Sequence, residues 1–329
     1  MAHGNHLMRF LALAAIAAAL TGCAPSGYIV SSPTPSGQRF EGSAPPASEL
    51  ALVDARTIKV FSSGILPAQL SVAEGQVIDP MRYLAEHLQS EFASRGAPTK
   101  VVQDGKGMPR LTVRTFRMIN HRTNAYAPFI TMTYFAGDLE TSAGTRRIGV
   151  FVKRGKVPVW SFQEVVEPTL TQPLSLVVKE LAAKISRETY GSRGSDKSVD
   201  ELVAKLGARG ADSFLDVYAL GFTNNPRAVS TLVSLTSDGD EYVRLAAISS
   251  LGTLRAAPQL AQLRSLYGGA NLWQDRAMAI KAIGDLGTAE SRALLEKEIA
   301  SWSGQKGNEA LWTRRVIELY LPGKESAPD

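Results

Sequence analysis

The chain is poor in the side chains on which most catalytic and metal sites depend. It has one cysteine and four histidines among 329 residues. A single thiol excludes an internal disulfide, a Cys-X-X-Cys redox pair and a cysteine-ligated zinc site. His87 and His121 have no second histidine or carboxylate at the spacing of metal ligands, and His3 and His6 precede the first apolar run. The sequence therefore predicts no metal site, no cofactor and no enzymatic activity.

Long apolar runs are also scarce, and the clearest one lies near the start of the sequence. Residues 10–20, FLALAAIAAAL, contain no polar side chain. This length suits the hydrophobic region of a secretory signal and is too short to span a bilayer. Arg9 supplies the positive charge in front of the run, which ends in LTGC at Cys23. The LTGC ending resembles the lipobox of bacterial lipoproteins.

The lipobox resemblance implies a processing route and a location. Residues 1–22 are expected to be a lipoprotein signal peptide, and Cys23 is expected to carry the lipid, which includes palmitate-type acyl chains. Stable attachment takes more than one such chain. The residue after Cys23 is alanine rather than aspartate. We therefore expect an outer-membrane lipoprotein that faces the periplasm, with the inner membrane as the alternative.

Three further regions differ in composition. Residues 23–50 are rich in Pro, Ser and Gly, which predicts a disordered tether. Residues 51–190 mix strand and helix patterns, and residues 199–321 show helical patterns only. The fold class that follows is α+β: a mainly antiparallel sheet with two helices on one face, followed by an all-α solenoid.

The strand and helix patterns of residues 51–190 can be placed individually. Helices are predicted after a cap at Asp79 and after Pro173, ending near Gly96 and Gly191. The sequence KRGK predicts a hairpin turn between the last two strands. Strands are predicted over 57–61 and near 99–103, 110–118, 128–135, 147–153 and 157–165.

The second half carries an internal repeat. When EYVRLAAISSLGTL is aligned with QDRAMAIKAIGDL, glycines recur at 221, 252 and 284, a period of about 31 to 32 residues. Such a period is typical of a solenoid of helix pairs. We interpret each glycine as the left-handed residue that ends the first helix of a pair.

These motifs resemble HEAT-like repeats of the phycobilisome-lyase type, which combine a basic residue, paired alanines and a leucine–glycine ending. VRLAAISSLGTL and RAMAIKAIGDLG carry the likeness. It implies no lyase activity, because that activity belongs to some members and not to the repeat. Arg244 and Arg276 occupy the basic position and are candidate binding residues. The alternative is that each bonds a neighbouring repeat.

Positive charge is concentrated in residues 51–190, which hold 18 basic and 12 acidic side chains. A basic domain close to a membrane suits contact with anionic lipid or acidic cell-wall polymer. Arg154 and Lys156 are candidates, with solvation of an exposed strand as the alternative. Trp273 is a further candidate, because tryptophan is enriched at binding hot spots, although core packing explains it equally well. Nucleic acid is not an expected partner of a secreted protein.

Together these patterns predict a membrane-anchored envelope lipoprotein. It would act as a protein-binding scaffold or an accessory subunit of an envelope machine for cell-wall synthesis, transport or assembly, and would offer the concave face of its solenoid to an envelope protein. Two alternatives stay open. One is an envelope enzyme acting on glycan or lipid, with carboxylates or arginines gathered between the domains. The other is a carrier with an apolar cavity between sheet and helices.

Overall fold

The computed structural model describes residues 27–41, 48–65, 69–72, 75–124, 126–157, 161, 163–321 and 323. The strands are β1 (Gly27–Ile29), β2 (Phe40–Glu41), β3 (Ser48–Asp54), β4 (Ser62–Gly64), β5 (Gln69–Ser71), β6 (Thr99–Gln103), β7 (Arg110–His121), β8 (Phe129–Thr141), β9 (Gly144–Lys156) and β10 (Arg193–Gly194). The helices of the first half are α1 (Pro80–Ser94), α2 (Gln163–Val166) and α3 (Gln172–Tyr190).

The largest sheet has the order β6-β3-β7-β8-β9, with β4 also beside β7. Strands β7, β8 and β9 pair antiparallel, whereas β3 runs parallel to both β6 and β7. Helices α1 and α3 contact each other and the sheet. Their side chains Leu84, Leu88 and Val177 are completely buried and fill the space between these helices and the sheet. This is the α+β arrangement that the sequence predicts.

Both predicted helices are confirmed in detail. The Asp79 carboxylate accepts a hydrogen bond of 2.7 Å from the backbone N–H of Arg82, which caps α1. Gly191, with φ of 63°, follows α3 in the left-handed conformation that glycine favours.

Two strand predictions are wrong. Residues 57–61 form no strand, because Val60 is 60 % exposed and the alternation there does not mark a buried face. KRGK, residues 153–156, lies inside β9, and the hairpin turn falls at Ser142 and Ala143 instead. β9 is buried over much of its length, so its own sequence does not show where it ends. The strand predicted at 157–165 is also wrong for the described residues of that range, since α2 begins at Gln163, whereas residues 158–160 and 162 lie outside the described part of the chain.

The tether prediction for residues 23–50 is wrong for residues 27–41 and 48–50, and the rest of that range lies outside the described residues. β1 pairs with β5, β2 pairs with β10, and Ser36 donates hydrogen bonds of 2.9 and 2.5 Å to the Glu91 carboxylate. Gln38 Nε2 donates to Ala219 O in the helical half at 3.3 Å. Residues 27–41 therefore form a strap over both halves, held by these polar contacts and by Val30, which is buried in the core.

The second half is a stack of helix pairs. Its helices are α4 (Asp196–Leu206), α5 (Ser213–Phe222), α6 (Val229–Leu235), α7 (Glu241–Thr253), α8 (Leu260–Gly269), α9 (Trp273–Leu286), α10 (Ala289–Ser303) and α11 (Asn308–Glu318). The first helices of the pairs, α5, α7, α9 and α11, contact one another in succession. The second helices, α6, α8 and α10, each contact the following first helix.

The recurring glycines have a different role from the predicted one. Gly221, Gly252 and Gly284 lie within the last turns of α5, α7 and α9 and not in a left-handed conformation. A Cβ atom at these glycines would lie 2.5 Å from Ser250 Oγ, 2.5 Å from Ala282 Cα and 2.4 Å from Tyr320 Cδ2, respectively. Each glycine therefore allows one layer of the stack to approach the next. The prediction that they end helices is wrong.

The layer of first helices is covered by the chain itself. α9 contacts β9, and α5 contacts α3. Most residues of α7 and α9 are buried between these contacts and the neighbouring repeat helices. The sheet domain therefore covers the face of the stack that the first helices form, and the outward-facing layer is that of α6, α8 and α10.

Candidate functional site at the domain junction

Four charged side chains meet between α3 and α9. Glu180 and Lys184 come from α3, and Lys281 and Asp285 come from α9. Lys184 Nζ lies 2.6 Å from Glu180 Oε1 and 2.5 Å from Asp285 Oδ1. Lys281 Nζ lies 2.6 Å from Glu180 Oε1 and 2.7 Å from Asp285 Oδ2. We call these four residues the charge ring. No member exposes more than 4 % of its side chain, and each ammonium group compensates both carboxylates.

Hydrogen bonds extend the charge ring into three neighbouring elements. Lys184 Nζ donates to Gly149 O of β9 at 2.7 Å, Lys281 Nζ donates to Ser249 Oγ and Thr253 Oγ1 of α7 at 2.7 and 3.1 Å, and the Tyr320 hydroxyl donates to Asp285 Oδ1 at 2.9 Å. The ring thus joins the sheet, the covering helix and two repeat layers. Groups that satisfy one another in this way resist separation, because any one left alone would be an unpaired buried charge.

Burial and ion pairing have opposite effects on the pKa values of the charge-ring residues. Burial would raise the pKa of Asp285, but Lys184 and Lys281 outweigh it and hold that pKa below its ordinary value. Burial would lower the pKa of Lys281, and here the two carboxylates prevail and raise it. For Lys184 burial prevails and its pKa is lowered. Burial also raises the pKa of Tyr320 well above its ordinary value, so the phenol remains a hydrogen-bond donor.

Tyr320 is wedged between the two halves of the protein. A Cβ atom added to Gly149 of β9 would lie 2.6 Å from Tyr320 Cζ, and one added to Gly284 of α9 would lie 2.4 Å from Tyr320 Cδ2. Real Cβ atoms do not approach other atoms so closely. Two glycines, one from each half, therefore make the slot in which the aromatic ring reaches Asp285.

A cleft of about 210 Å³ lies beside the charge ring. It lies among β9, the end of α3, the turn after α7 and the start of α10, and its charged lining residues are Arg146, Arg147, Lys184, Arg187, Glu188, Arg255, Asp285 and Arg292. We call it the arginine cleft. Six basic side chains thus face two carboxylates. The arrangement suits the binding of an anion.

One carboxylate in the arginine cleft serves three guanidinium groups. Arg146 Nε lies 3.0 Å from Glu188 Oε2, while Arg187 Nε and Arg255 Nη2 lie 3.0 and 2.8 Å from Glu188 Oε1. Arg147 is engaged elsewhere, since it donates to Asp138 at 3.0 Å and to a backbone carbonyl at 2.8 Å.

Arg244 and Arg276 join successive repeat layers. Arg244 forms two hydrogen bonds to the Asp275 carboxylate, at 3.1 and 3.2 Å, and a third to Asp238 O at 2.8 Å. Arg276 pairs with Glu309 of the next layer and donates to Ala270 O at 2.7 Å. The structure thus places both arginines in the contacts between repeats, the alternative that the sequence left open. Their role in binding a partner stays a prediction.

A family model of HEAT repeats matches residues 217–284, which include all three spacing glycines. The match supports a HEAT-like repeat domain within the helical half. HEAT repeats generally mediate protein–protein interaction. A search of curated proteins finds no match to the chain.

Arg154 packs against the HEAT-like domain rather than on the surface. Its guanidinium carbon lies 4.0 Å from the ring centroids of Phe214 and Tyr242, and its Nη2 donates to Gln172 Oε1 at 2.8 Å. Only 6 % of the residue is exposed. Burial lowers its pKa, and nearby phenols and carboxylates only partly offset this. The expected contact of Arg154 with lipid or cell wall is therefore wrong, because the junction encloses the side chain.

Lys156 and Trp273 lie together in a second cleft, of about 500 Å³, at the end of β9. Val157, Tyr242 and Gln274 also line it. Trp273 packs on Trp312 with a centroid distance of 4.6 Å, and Trp312 contacts His121 at 5.1 Å. We call this the tryptophan cleft. Both halves of the protein contribute to it, so it exists only when they are joined.

The sequence patterns did not reveal the charge ring or the arginine cleft. A signal for the ring was present: Glu180 and Lys184, like Lys281 and Asp285, stand four residues apart within apolar stretches of helix. The arginine cleft has no comparable signal, because its residues come from β9, α3, α9, α10 and the segments that follow α7 and α11.

Cys23, the predicted lipidation site, lies outside the described residues. Within the described part of the chain, no helix has the length and apolar character needed to cross a membrane. Nor do the described residues contain a group of three or more His, Cys, Asp or Glu side chains placed to hold a metal ion.

Proposed function

We propose that this protein is a lipid-anchored scaffold of the bacterial cell envelope. In this proposal Cys23 carries the lipid, the protein faces the periplasm from the outer membrane, and the HEAT-like domain binds a protein partner as an accessory subunit of an envelope machine. The observation that carries the proposal is the HEAT-repeat match over residues 217–284, joined to a lipobox-like LTGC sequence. The inner membrane remains the alternative location.

The strap brings the anchor close to the folded domain. Cys23 precedes β1, which starts at Gly27, by four residues. Four extended residues span at most about 14 Å. A lipid on Cys23 would therefore hold the sheet domain near the bilayer, whereas the predicted tether would have let it move roughly 30 Å away.

We assign partner binding to the tryptophan cleft and the outward helices. The face of first helices is closed by the sheet domain, so the concave-face docking expected from the sequence does not apply to that layer. Trp273 is only partly buried, Lys156 lies beside it, and Val157 at the same cleft is 53 % exposed. An aromatic side chain in a pocket with a polar neighbour is the usual composition of a binding hot spot.

The test is capture of a partner from detergent-solubilised envelopes after mild crosslinking. We expect the wild-type protein to recover a discrete envelope protein and Trp273→Ala to lose most of it, because removal of a hot-spot aromatic side chain costs about 2 kcal/mol or more. Lys197→Ala, at an 86 % exposed side chain outside the cleft, is the matched control. Equal recovery by Trp273→Ala and wild type would contradict the assignment of the cleft.

The anchor is tested separately. Mass spectrometry of the purified protein should find an acylated Cys23 as the first residue, and Cys23→Ser should release the protein from the membrane fraction. An unmodified thiol at Cys23 would refute the lipoprotein part of the proposal and leave the scaffold part standing.

The two alternative functions have less support. An enzyme with acids gathered between the domains needs a carboxyl group with a raised pKa, whereas Asp285 at the junction has a lowered one. A carrier needs an apolar cavity between sheet and helices, where Leu84, Leu88 and Val177 are completely buried.

A further inference from the structure

The arginine cleft holds more positive charge than its own ion pairs neutralise. Arg146, Arg187 and Arg255 share one carboxylate, that of Glu188, so these four residues alone carry a surplus of two positive charges. Arg292, in the first turn of α10, lines the same cleft, is exposed, and forms no ion pair with any described residue. The lining thus includes a guanidinium group, that of Arg292, with which no described carboxylate pairs.

Two effects disfavour the charged form of Arg255 in this position. Burial lowers its pKa to about 10, and repulsion from Arg187 acts in the same direction, only partly offset by Glu188. Its backbone has φ of 53°, in the left-handed region that glycine usually occupies after a helix. Its Nε is shielded from solvent and has no hydrogen-bond partner among the described atoms. The Nε–H of Arg255 is thus a buried donor at the cleft that no described atom satisfies, and an acceptor from outside the chain would satisfy it.

We propose that the arginine cleft binds a phosphate-type dianion, namely a phosphate monoester or a diphosphate group. The planar fork of a guanidinium group matches two oxygens of a phosphate, and a dianion would neutralise the surplus around Glu188 that a single carboxylate would only halve. The cleft has a volume of about 210 Å³, well above the roughly 10 to 15 Å³ that one water molecule needs, so it has room for such a group. The N-terminal end of α10 adds a field of the same sign.

The same chemistry is present in two sources, a soluble phosphorylated compound and the headgroup of an anionic lipid. The site itself does not depend on the proposed scaffold function. Its test needs no partner protein, so a negative result would leave that function untouched.

The experiment is titration calorimetry of the purified full-length protein in detergent with inorganic pyrophosphate at constant ionic strength. We expect saturable binding that weakens as salt is added, because the contact is ionic. Heats no larger than those of a matched chloride titration would overturn the proposal.

Variants show whether binding occurs in the cleft. Arg255→Gln and Arg292→Gln should each weaken pyrophosphate binding about tenfold, which corresponds to the roughly 1.4 kcal/mol expected for one charged hydrogen bond. Lys297→Gln removes the same charge from an exposed position of the same helix, outside the cleft lining, and should leave binding unchanged. If Arg255→Gln fails to fold, Arg292→Gln decides alone. Equal weakening by Lys297→Gln and Arg292→Gln would overturn the proposal by showing a general charge effect.

A second titration with dihexanoyl phosphatidic acid distinguishes the sources. Tighter binding of this short-chain lipid than of pyrophosphate, sensitive to Arg292→Gln, would support the site and assign it to a headgroup. Tighter binding of pyrophosphate, with the same sensitivity, would support the site and assign it to a soluble ligand. Insensitivity of both to Arg292→Gln would overturn the proposal.

Discussion

Two clusters of charge lie side by side at the domain junction and differ in almost every respect. The charge ring of Glu180, Lys184, Lys281 and Asp285 has equal numbers of acids and bases, and its side chains are at most 4 % exposed. Apart from Lys184 and Asp285, which it shares with the ring, the arginine cleft has five arginines to one carboxylate and is open to solvent, with Arg146 44 % exposed.

The difference indicates two uses of charge in one interface. A balanced, buried group contributes little net free energy relative to apolar residues, yet is strongly destabilising when one member is removed, so it specifies how two surfaces meet. An unbalanced group in a cleft leaves attraction available for something from outside. The charge ring therefore fixes the HEAT-like domain on the sheet domain, and the arginine cleft is left free to bind.

The largest effect is expected when one carboxylate is removed from the charge ring. Asp285→Ala leaves two buried ammonium groups with one carboxylate and should lower the free energy of unfolding by about 3 to 5 kcal/mol. Urea denaturation of the purified protein measures it. Asp200→Ala, which removes an exposed acid paired with Arg227, is the matched control and should cost about 1 kcal/mol or less. Equal losses in the two variants would show that the ring does not act as a unit.

Lowering the pH should reproduce part of the loss of stability expected for Asp285→Ala. The pKa of Asp285 lies below its ordinary value of 3.8, so the unfolded chain takes up this proton more readily than the folded one. Its contribution to stability is complete above about pH 4 and is lost as the pH falls through the folded-state pKa. Other paired acids contribute to the same acid limb. Urea midpoints measured from neutral pH to about pH 3 should therefore fall less steeply for Asp285→Asn than for wild type. Parallel curves would contradict the lowered pKa.

A smaller loss of stability is expected when α9 is displaced and the charges of the ring are left unchanged. A Cβ atom at Gly252 would lie 2.5 Å from Ala282 Cα, next to Lys281, so Gly252→Ala must displace α9. We expect a loss of about 1 to 3 kcal/mol by thermal or urea unfolding. Gly268→Ala is the matched control, because a Cβ atom there meets open space. Replacing a helical glycine that has room for a side chain should stabilise the protein by about 0.5 to 1 kcal/mol. A neutral Gly252→Ala would contradict the spacing role of the repeated glycines.

The smallest expected effect concerns an ion pair outside both clusters, and its coupling free energy gives a reference value for a partly exposed pair. Arg244 and Asp275 form a two-bond pair with both side chains 18 % exposed. A double-mutant cycle to alanine should give a coupling of about 0.5 to 1 kcal/mol. The exposed pair Lys197 and Glu201 should give about 0.3 kcal/mol. A coupling for Arg244 and Asp275 no larger than this would show that the pair does not join the layers.

The parts of the fold that could be predicted are those that depend on local sequence. Asp79 caps α1, and Gly191 ends α3, because both effects act within a few residues. The repeat was found as well, since its glycines recur at a fixed interval. The sequence does not show the role of these glycines, because a glycine near the end of a helix looks the same whether it ends the helix or allows a neighbouring helix to approach.

The parts that could not be predicted depend on contacts between distant residues. Nothing near KRGK indicates that β9 continues through it, since pairing with β8 decides this. The sequence of the strap predicts a tether because the partners that fix it, such as Glu91 and Ala219, lie far along the chain. The same holds for Arg154, whose aromatic partners Phe214 and Tyr242 belong to the other half of the chain.

Strand β9 is the last strand of its sheet, and the HEAT-like domain lies against it: α9 contacts β9, and the Tyr242 hydroxyl donates to the backbone oxygen of Gly155. The HEAT-like stack therefore also covers the edge strand of the sheet, whose unpaired backbone groups could otherwise pair with another strand. Were the stack removed, the buried part of β9, residues 148–154, would lose some of its cover and could recruit the same strand from another molecule. The excised sheet domain should accordingly self-associate, which would make co-expression of both halves a requirement for obtaining either in soluble form.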